Sequence, residues 1–125
     1  MTGYTKDHAW VRMDGETATV GISDYAQRQL GDIVYVDLPK VGAALTQGET
    51  MGTVESVKSV SELVAPVSGV VTEVNGALTD AAELLNQDPE GEAWLVRVKL
   101  AGKVEGLMDA AAYRSYSGVV VSDTE

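Results

Sequence analysis

Gly52-Thr53-Val54-Glu55-Ser56-Val57-Lys58-Ser59-Val60-Ser61-Glu62 is the stretch on which the reading of this chain turns. Val54, Val57, Val60 and Leu63 supply β-branched or apolar character, and Ser and Glu alternate with them, as in half-buried strands. The midpoint falls at Val57-Lys58, so the stretch reads as a hairpin with Ser56 and Ser59 facing each other across the turn. No Gly, Asn or Asp stands there, which disfavours a primed turn and leaves a type I turn as the expectation. Lys58 then projects from the tip.

A lysine at a hairpin tip is ordinary, because lysine stays exposed and blunts strand edges. Here, however, it is the only lysine between Val41 and Val98. A solvated amine alone on a rigid tip suits covalent acylation, which would remove its charge and turn it into a tether.

Outward from the hairpin, 125 residues suggest one domain with a single core. Thirteen glycines and many valines favour a β-rich fold with tight turns. The chain has no Cys, which removes disulfides, thiolate nucleophiles and Cys-based metal sites, and one His, which excludes a multi-His metal centre. A formal charge of −10 argues against nucleic acid as a partner and favours basic protein surfaces. No apolar run approaches a membrane span, and no charged-then-apolar leader precedes Tyr4. A cytoplasmic protein is expected, or a processed mitochondrial one.

Taken in order, residues 4–13 read as one strand. Asp14-Gly15 turns the chain, and 16–22 returns with Ala18, Val20 and Ile22 on one face. Ser23 caps a short helix over 24–30, closed by Gly31. The nearly continuous apolar run 33–38 predicts a buried strand ended by Pro39, and 41–49 a loop. After the hairpin, Pro66 interrupts pairing, 69–74 is a strand, and Asn75-Gly76 turns again. Asp80-Ala81-Ala82-Glu83 resembles a capping box for a helix to Asn86. In 94–100, Trp94, Val96, Val98 and Leu100 should face inward and Arg97 and Lys99 outward. Asp109 caps a last helix to Tyr116. Residues 1–116 thus form one domain, and 117–125 a loose tail. Short strands with frequent turns predict a small β-sandwich or flattened barrel.

Glu55-Ser56-Val57-Lys58-Ser59-Val60-Ser61-Glu62 followed by Ala65-Pro66-Val67-Ser68-Gly69 resembles the lipoyl-attachment region of the H protein of the glycine cleavage system. Other blocks resemble the same family in the same order: Tyr4-Thr5-Lys6-Asp7-His8-Ala9-Trp10, Val20-Gly21-Ile22-Ser23-Asp24-Tyr25-Ala26-Gln27, Leu30-Gly31-Asp32-Ile33-Val34, Asp37-Leu38-Pro39, then Asn86, Asp88-Pro89, Gly91 and Trp94. The resemblance spans roughly residues 4–116. It implies a mainly β, lipoyl-type barrel-sandwich hybrid with short accessory helices and a C-terminal helix.

It also implies a function. Lys58 would carry lipoate in amide linkage, placed there by a lipoylating enzyme, and the chemistry would be the cofactor's. The arm would take an aminomethyl group from a pyridoxal-phosphate glycine decarboxylase to a tetrahydrofolate-dependent aminomethyltransferase. Dihydrolipoyl dehydrogenase, with FAD and NAD, would reoxidise it. The chain itself would be a non-catalytic carrier and a monomer. Glu55, Glu62 and Gly69 are candidates for recognition of the attachment region, and Asp7 and His8 for a cleft that shelters the arm. Family members usually have Glu between the His and Trp of the opening strand; this chain has Ala9, expected at a strand edge, and Asp7 or Glu62 would substitute. His8 also reads as a packing residue, and Trp10 and Trp94 as core.

Other readings compete. An H-like lipoyl relay in lipoate metabolism needs no aminomethyl cleft, which Ala9 suits. Biotinyl carriers usually have Met on both sides of the lysine, and lipoyl domains of 2-oxoacid dehydrogenases usually have Asp before it; Val57 and Ser59 match neither. An independent enzyme fits poorly with one His, no Cys and no Gly-rich phosphate loop.

Overall fold

The computed structural model describes residues 2–102, 104 and 106–117. Among the described residues, nine strands form two antiparallel sheets. The larger has the order β1 (Thr2–Tyr4), β2 (Ala9–Asp14), β3 (Thr17–Ile22), β9 (Val96–Leu100), β8 (Gly69–Val74), β5 (Ala44–Leu45). The smaller sets β6 (Thr50–Ser56) between β4 (Ile33–Asp37) and β7 (Val60–Val64). Val11, Val20, Val71, Val96 and Val98 from the first sheet meet Ile33, Val36, Val54 and Leu63 from the second in one buried cluster. The described residues also form four short helices, α1 (Asp24–Leu30), α2 (Ala77–Asp80), α3 (Leu84–Gln87) and α4 (Ala110–Ser117). Leu78 and Leu85 from α2 and α3 close the core. The mainly β expectation is met.

Several local expectations are met by visible chemistry. Gly15, at φ 64°, opens the two-residue loop between the paired Asp14 and Thr17. The Ser23 hydroxyl oxygen accepts from the Ala26 N–H at 3.1 Å, and the Gly31 N–H closes α1 on the Gln27 carbonyl. Asp109 caps α4 by accepting from the Ala112 N–H at 2.8 Å.

Others need correction. Residues 4–13 are not one strand. The Thr5 hydroxyl accepts from the Asp7 and Ala9 N–H groups, its carbonyl accepts from the His8 N–H, and His8 takes φ 67°. A threonine turn therefore wins over continuous extension, and β1 folds back on β2. Ala9 is buried and paired with Ile22, not at a free edge. The run 33–37 is not buried throughout. Its pairing with β6 shifts between Ile33 and Tyr35, so Val34 and Tyr35 both face out while Ile33 and Val36 stay in.

The helix expected over 80–86 is two single turns. Asn75, buried, accepts from the Ala77 N–H and starts α2 before Asp80 is reached. The Asn75 amide also donates to the Glu92 and Trp94 carbonyls. That holds the chain irregular ahead of β9 and puts Leu95 inward; Trp94 is half-buried beneath Arg97, whose guanidinium lies 4.2 Å from the ring centroid. Trp10 is core as expected, fully buried, with its indole N–H donated to the Pro89 carbonyl. Of the tail expected over 117–125, Ser117 belongs to α4 and residues 118–125 lie outside the described residues.

Candidate functional site

The Lys58 turn is built by Ser56. Its N–H donates to the Ser59 carbonyl at 2.8 Å, and its hydroxyl oxygen accepts from the Lys58 and Ser59 N–H groups, both at 3.2 Å. The Val57 N–H donates to the Asp32 carbonyl at 3.0 Å and ties the tip to the loop after α1. Val57, Lys58, Ser59 and Val60 are all exposed. The base of Lys58 is thus fixed while its side chain reaches solvent. Among the described residues its ammonium forms no salt bridge.

Gly31 lies beside this side chain. It sits at φ 79°, and a Cβ built on it would fall 3.1 Å from the Lys58 Cε. The lack of a side chain leaves room for the lysine stem. Asn86 clamps the same loop: its amide donates to the Gly31 carbonyl at 2.8 Å and to the Gln27 side chain at 3.0 Å, and its oxygen accepts from the Ile33 N–H at 2.8 Å.

A cavity of about 360 Å³ lies between the 5–8 turn, α1 and β7. Asp7, His8, Tyr25, Leu30 and Glu62 line it, over a floor that includes Val54 and Leu63. Leu30 adjoins Gly31, so the end of α1 borders both cavity and lysine. The Glu62 carboxylate accepts from the Thr50 hydroxyl at 3.2 Å. His8 packs on the Tyr25 ring at 4.7 Å, and its Nδ1 lies 2.7 Å from the Tyr113 hydroxyl. Burial pushes His8 below the ordinary histidine range, and the Asp7 charge pulls the other way.

The residues singled out from sequence fall into three groups. Asp7, His8 and Glu62 meet at the cavity. Lys58 stands at its α1 end, and Glu55 lies on the outer face of the smaller sheet, level with Tyr35 and Val60. Gly69 does not join them. It is buried in the larger sheet, where a Cβ would run into the Lys99 carbonyl, so packing accounts for the glycine.

Tyr113 and Glu90 were not legible in advance. Tyr113 meets His8 across 105 residues of sequence. The Glu90 carboxylate accepts from the Tyr4 hydroxyl at 2.7 Å and the Asp24 N–H at 2.9 Å, joining the opening strand to the start of α1. Burial and this acid together push the Tyr4 phenol well above its usual range.

A sequence profile of the glycine cleavage H-protein matches residues 2–118. The glycine cleavage system H protein of Herpetosiphon aurantiacus is 53% identical over 113 residues, covering 90% of this chain and 88% of that protein. That of Chlorobium luteolum is 55% identical over 119 residues, covering 92% and 93%. The crystal structure of a glycine cleavage system H protein from Mycobacterium marinum superposes with a TM-score of 0.89 at 39% identity, covering 94% of this chain and 96% of that one.

Proposed function

The chain belongs to the glycine cleavage H-protein family, and we propose that within it Lys58 is the lysine that carries a lipoyl group in amide linkage. The fold is the lipoyl-type barrel-sandwich, and the role is that of the lipoyl carrier of glycine cleavage. The alternative of a relay confined to lipoate metabolism is not favoured by these relatives.

The observation that carries the assignment is the Lys58 turn. Its backbone is fixed by hydrogen bonds from Ser56 and to Asp32, its stem passes the bare face of Gly31, and its amine is unpaired among the described residues. A lipoyl arm fits these surroundings, since the apolar stem gains a wall and the attachment atom stays open to a modifying enzyme. When bound, the group would supply a disulfide to which the one-carbon cargo can be passed.

The chain's own residues do the rest. Asp7 and Glu62 set negative charge at the cavity where the cationic amine of an aminomethyl cargo would lie. Val54, Leu63 and Leu30 exclude water, which slows hydrolytic loss of that cargo. Glu55, beside Tyr35 and Val60, belongs to the surface a lipoylating enzyme would read. Glycine decarboxylase, the folate-dependent aminomethyltransferase and dihydrolipoyl dehydrogenase are the proposed partners, and the isolated chain turns over nothing by itself. Peptide mapping after treatment with a lipoylating enzyme and lipoate tests the assignment. Modification confined to Lys58 and absent from Lys58→Arg is expected; modification of Lys40 or Lys99 instead would sink it.

A further inference from the structure

Asn75-Gly76 joins β8 to α2, and the fold treats the two residues in opposite ways. Asn75 is buried, at 8% exposure, and its side chain is engaged at both ends. The amide nitrogen donates to the Glu92 carbonyl at 2.9 Å and the Trp94 carbonyl at 2.8 Å, and the amide oxygen accepts from the Ala77 N–H at 3.2 Å. In the main chain, the Asn75 N–H donates to the Leu95 carbonyl at 3.1 Å, and its carbonyl accepts from the Leu78 N–H at 3.2 Å. Gly76 is exposed. It stands at φ −63°, which any residue adopts, and a Cβ built on it would meet nothing within 4 Å. Every other described glycine has a positive φ or a neighbour in the way of a Cβ. The fold therefore sets no demand for glycine at 76.

We propose that Asn75-Gly76 is a site of spontaneous hydrolytic modification, held off by the folded state and released when α2 opens. The reaction needs only water. The Gly76 nitrogen attacks the Asn75 side-chain carbonyl carbon, with no Cβ at 76 to block the approach. A C–N bond forms and closes a five-membered imide. The Cγ–Nδ2 bond breaks, and the amide nitrogen leaves as ammonia with the proton from the Gly76 nitrogen. Water then opens the ring at one of its two carbonyls, giving aspartate or isoaspartate. In the folded chain three hydrogen bonds pin the buried Asn75 amide, so its carbon cannot swing onto the Gly76 nitrogen. Leu78, at 1% exposure, anchors α2 in the core and keeps the amide in place. Local opening of α2 frees it. Either product then makes the opening last. A carboxylate at 75 has no proton to give the Glu92 and Trp94 carbonyls and would be buried against both. Isoaspartate adds a methylene to the main chain between the groups that bond Leu95 and Leu78.

Asn75 and Asn86 are the only asparagines in the sequence, and Gln87 follows the second, so the chain carries its own control. The test is peptide mapping of the full chain without a lipoyl group, kept at neutral pH and 37 °C, both folded and in concentrated guanidinium chloride. The readout is the one-dalton gain of deamidation and the separation of aspartate from isoaspartate. In denaturant, Asn75 should convert at least about tenfold faster than Asn86, whose follower has a side chain in the way. In the folded protein Asn75 should convert about a hundredfold more slowly than in denaturant, the ratio being the fraction of time α2 is open. Gly76→Ala, which the open space at 76 admits, should suppress conversion in denaturant without loss of stability. Folded Leu78→Ala, which takes away the anchor of α2, should speed conversion of the folded protein by at least about tenfold. Converted wild type, separated by its added negative charge, should unfold at a lower temperature. Equal rates in folded and denatured protein overturn the proposal. So do Asn86 matching Asn75 in denaturant, Gly76→Ala matching wild type there, and an unchanged Tm after conversion. If Leu78→Ala does not fold, the folded and denatured rates of wild type decide alone.

Discussion

Replacing Asn86 with Ala removes the clamp that sets Lys58 in place. Three hydrogen bonds go at once, to Gln27, Gly31 and Ile33. The Gln27 amide can turn to solvent, so its loss costs little. Ile33 is buried at 3% exposure, and its N–H would be left without an acceptor; the Gly31 carbonyl, half-buried, would lose its donor. An orphaned buried group costs about 1–3 kcal/mol, so Asn86→Ala should destabilise the fold by about 2–4 kcal/mol. At roughly 4 °C per kcal/mol for a domain of this size, Tm should fall by about 8–16 °C. Urea unfolding gives the free energy directly. Asn86→Asp should recover the Ile33 bond but set a carboxylate against the Gly31 carbonyl, restoring only part of the loss. Lipoylation of Lys58 in the still-folded variant should slow, because the Val57 N–H is held by the adjoining Asp32. A loss below about 0.5 kcal/mol with unchanged m, the range of an ordinary surface substitution, would refute the clamp.

Gly31→Ala should both destabilise the loop, through its positive φ, and slow modification of Lys58, through contact with the Cε; a modification rate equal to wild type removes the second half of that reading. In the lipoylated, cargo-loaded protein, Asp7→Asn and Glu62→Gln should each speed release of formaldehyde and ammonia several-fold, and unchanged rates in both would reject a carboxylate-lined docking site. Stability should fall with acid through the histidine window. Folded His8 has a depressed pKa, so as pH drops through the ordinary value of 6.5 the unfolded chain takes up a proton the folded chain refuses. His8→Asn, which tolerates the positive φ, should flatten the unfolding free energy between pH 7 and 5.5; parallel slopes in the two proteins count against it.

The sheets were legible because their chemistry is local. Alternation in β3 and β9, the Asp14-Gly15 turn and the Ser23 cap each act within a few residues, and they stand where the sequence puts them. The misreadings share a cause. Thr5 turns the chain inside what reads as one strand, a bulge at Val34 exposes half of an apolar strand, and the Asn75 side chain starts α2 early while holding Trp94 out of β9. In each case one side chain or one extra residue overrides a periodicity that is correct on either side of it.

The site was legible in its residue types and not in its assembly. Lys58 stood out by isolation, and Asp7, His8 and Glu62 by family resemblance. No period or spacing connects residues 8, 23 and 113, or 31 and 86, since the contacts that join them are set by how α1, α3 and α4 pack. The fold explains why these residues must meet. A carrier needs an amine that moves on a base that does not, next to a pocket that the arm can reach. The hairpin supplies the first requirement alone, because Ser56 closes the turn without help. The second needs the loop after α1, where the Asp32 carbonyl holds Val57 and Asn86 holds Gly31. The pocket needs α1 again, because Leu30 is one of its walls. If Lys58 bears the arm as proposed, Leu30-Gly31 would serve both of its ends: the leucine would shield where its cargo rests, and the glycine would clear the path of the lysine that carries it.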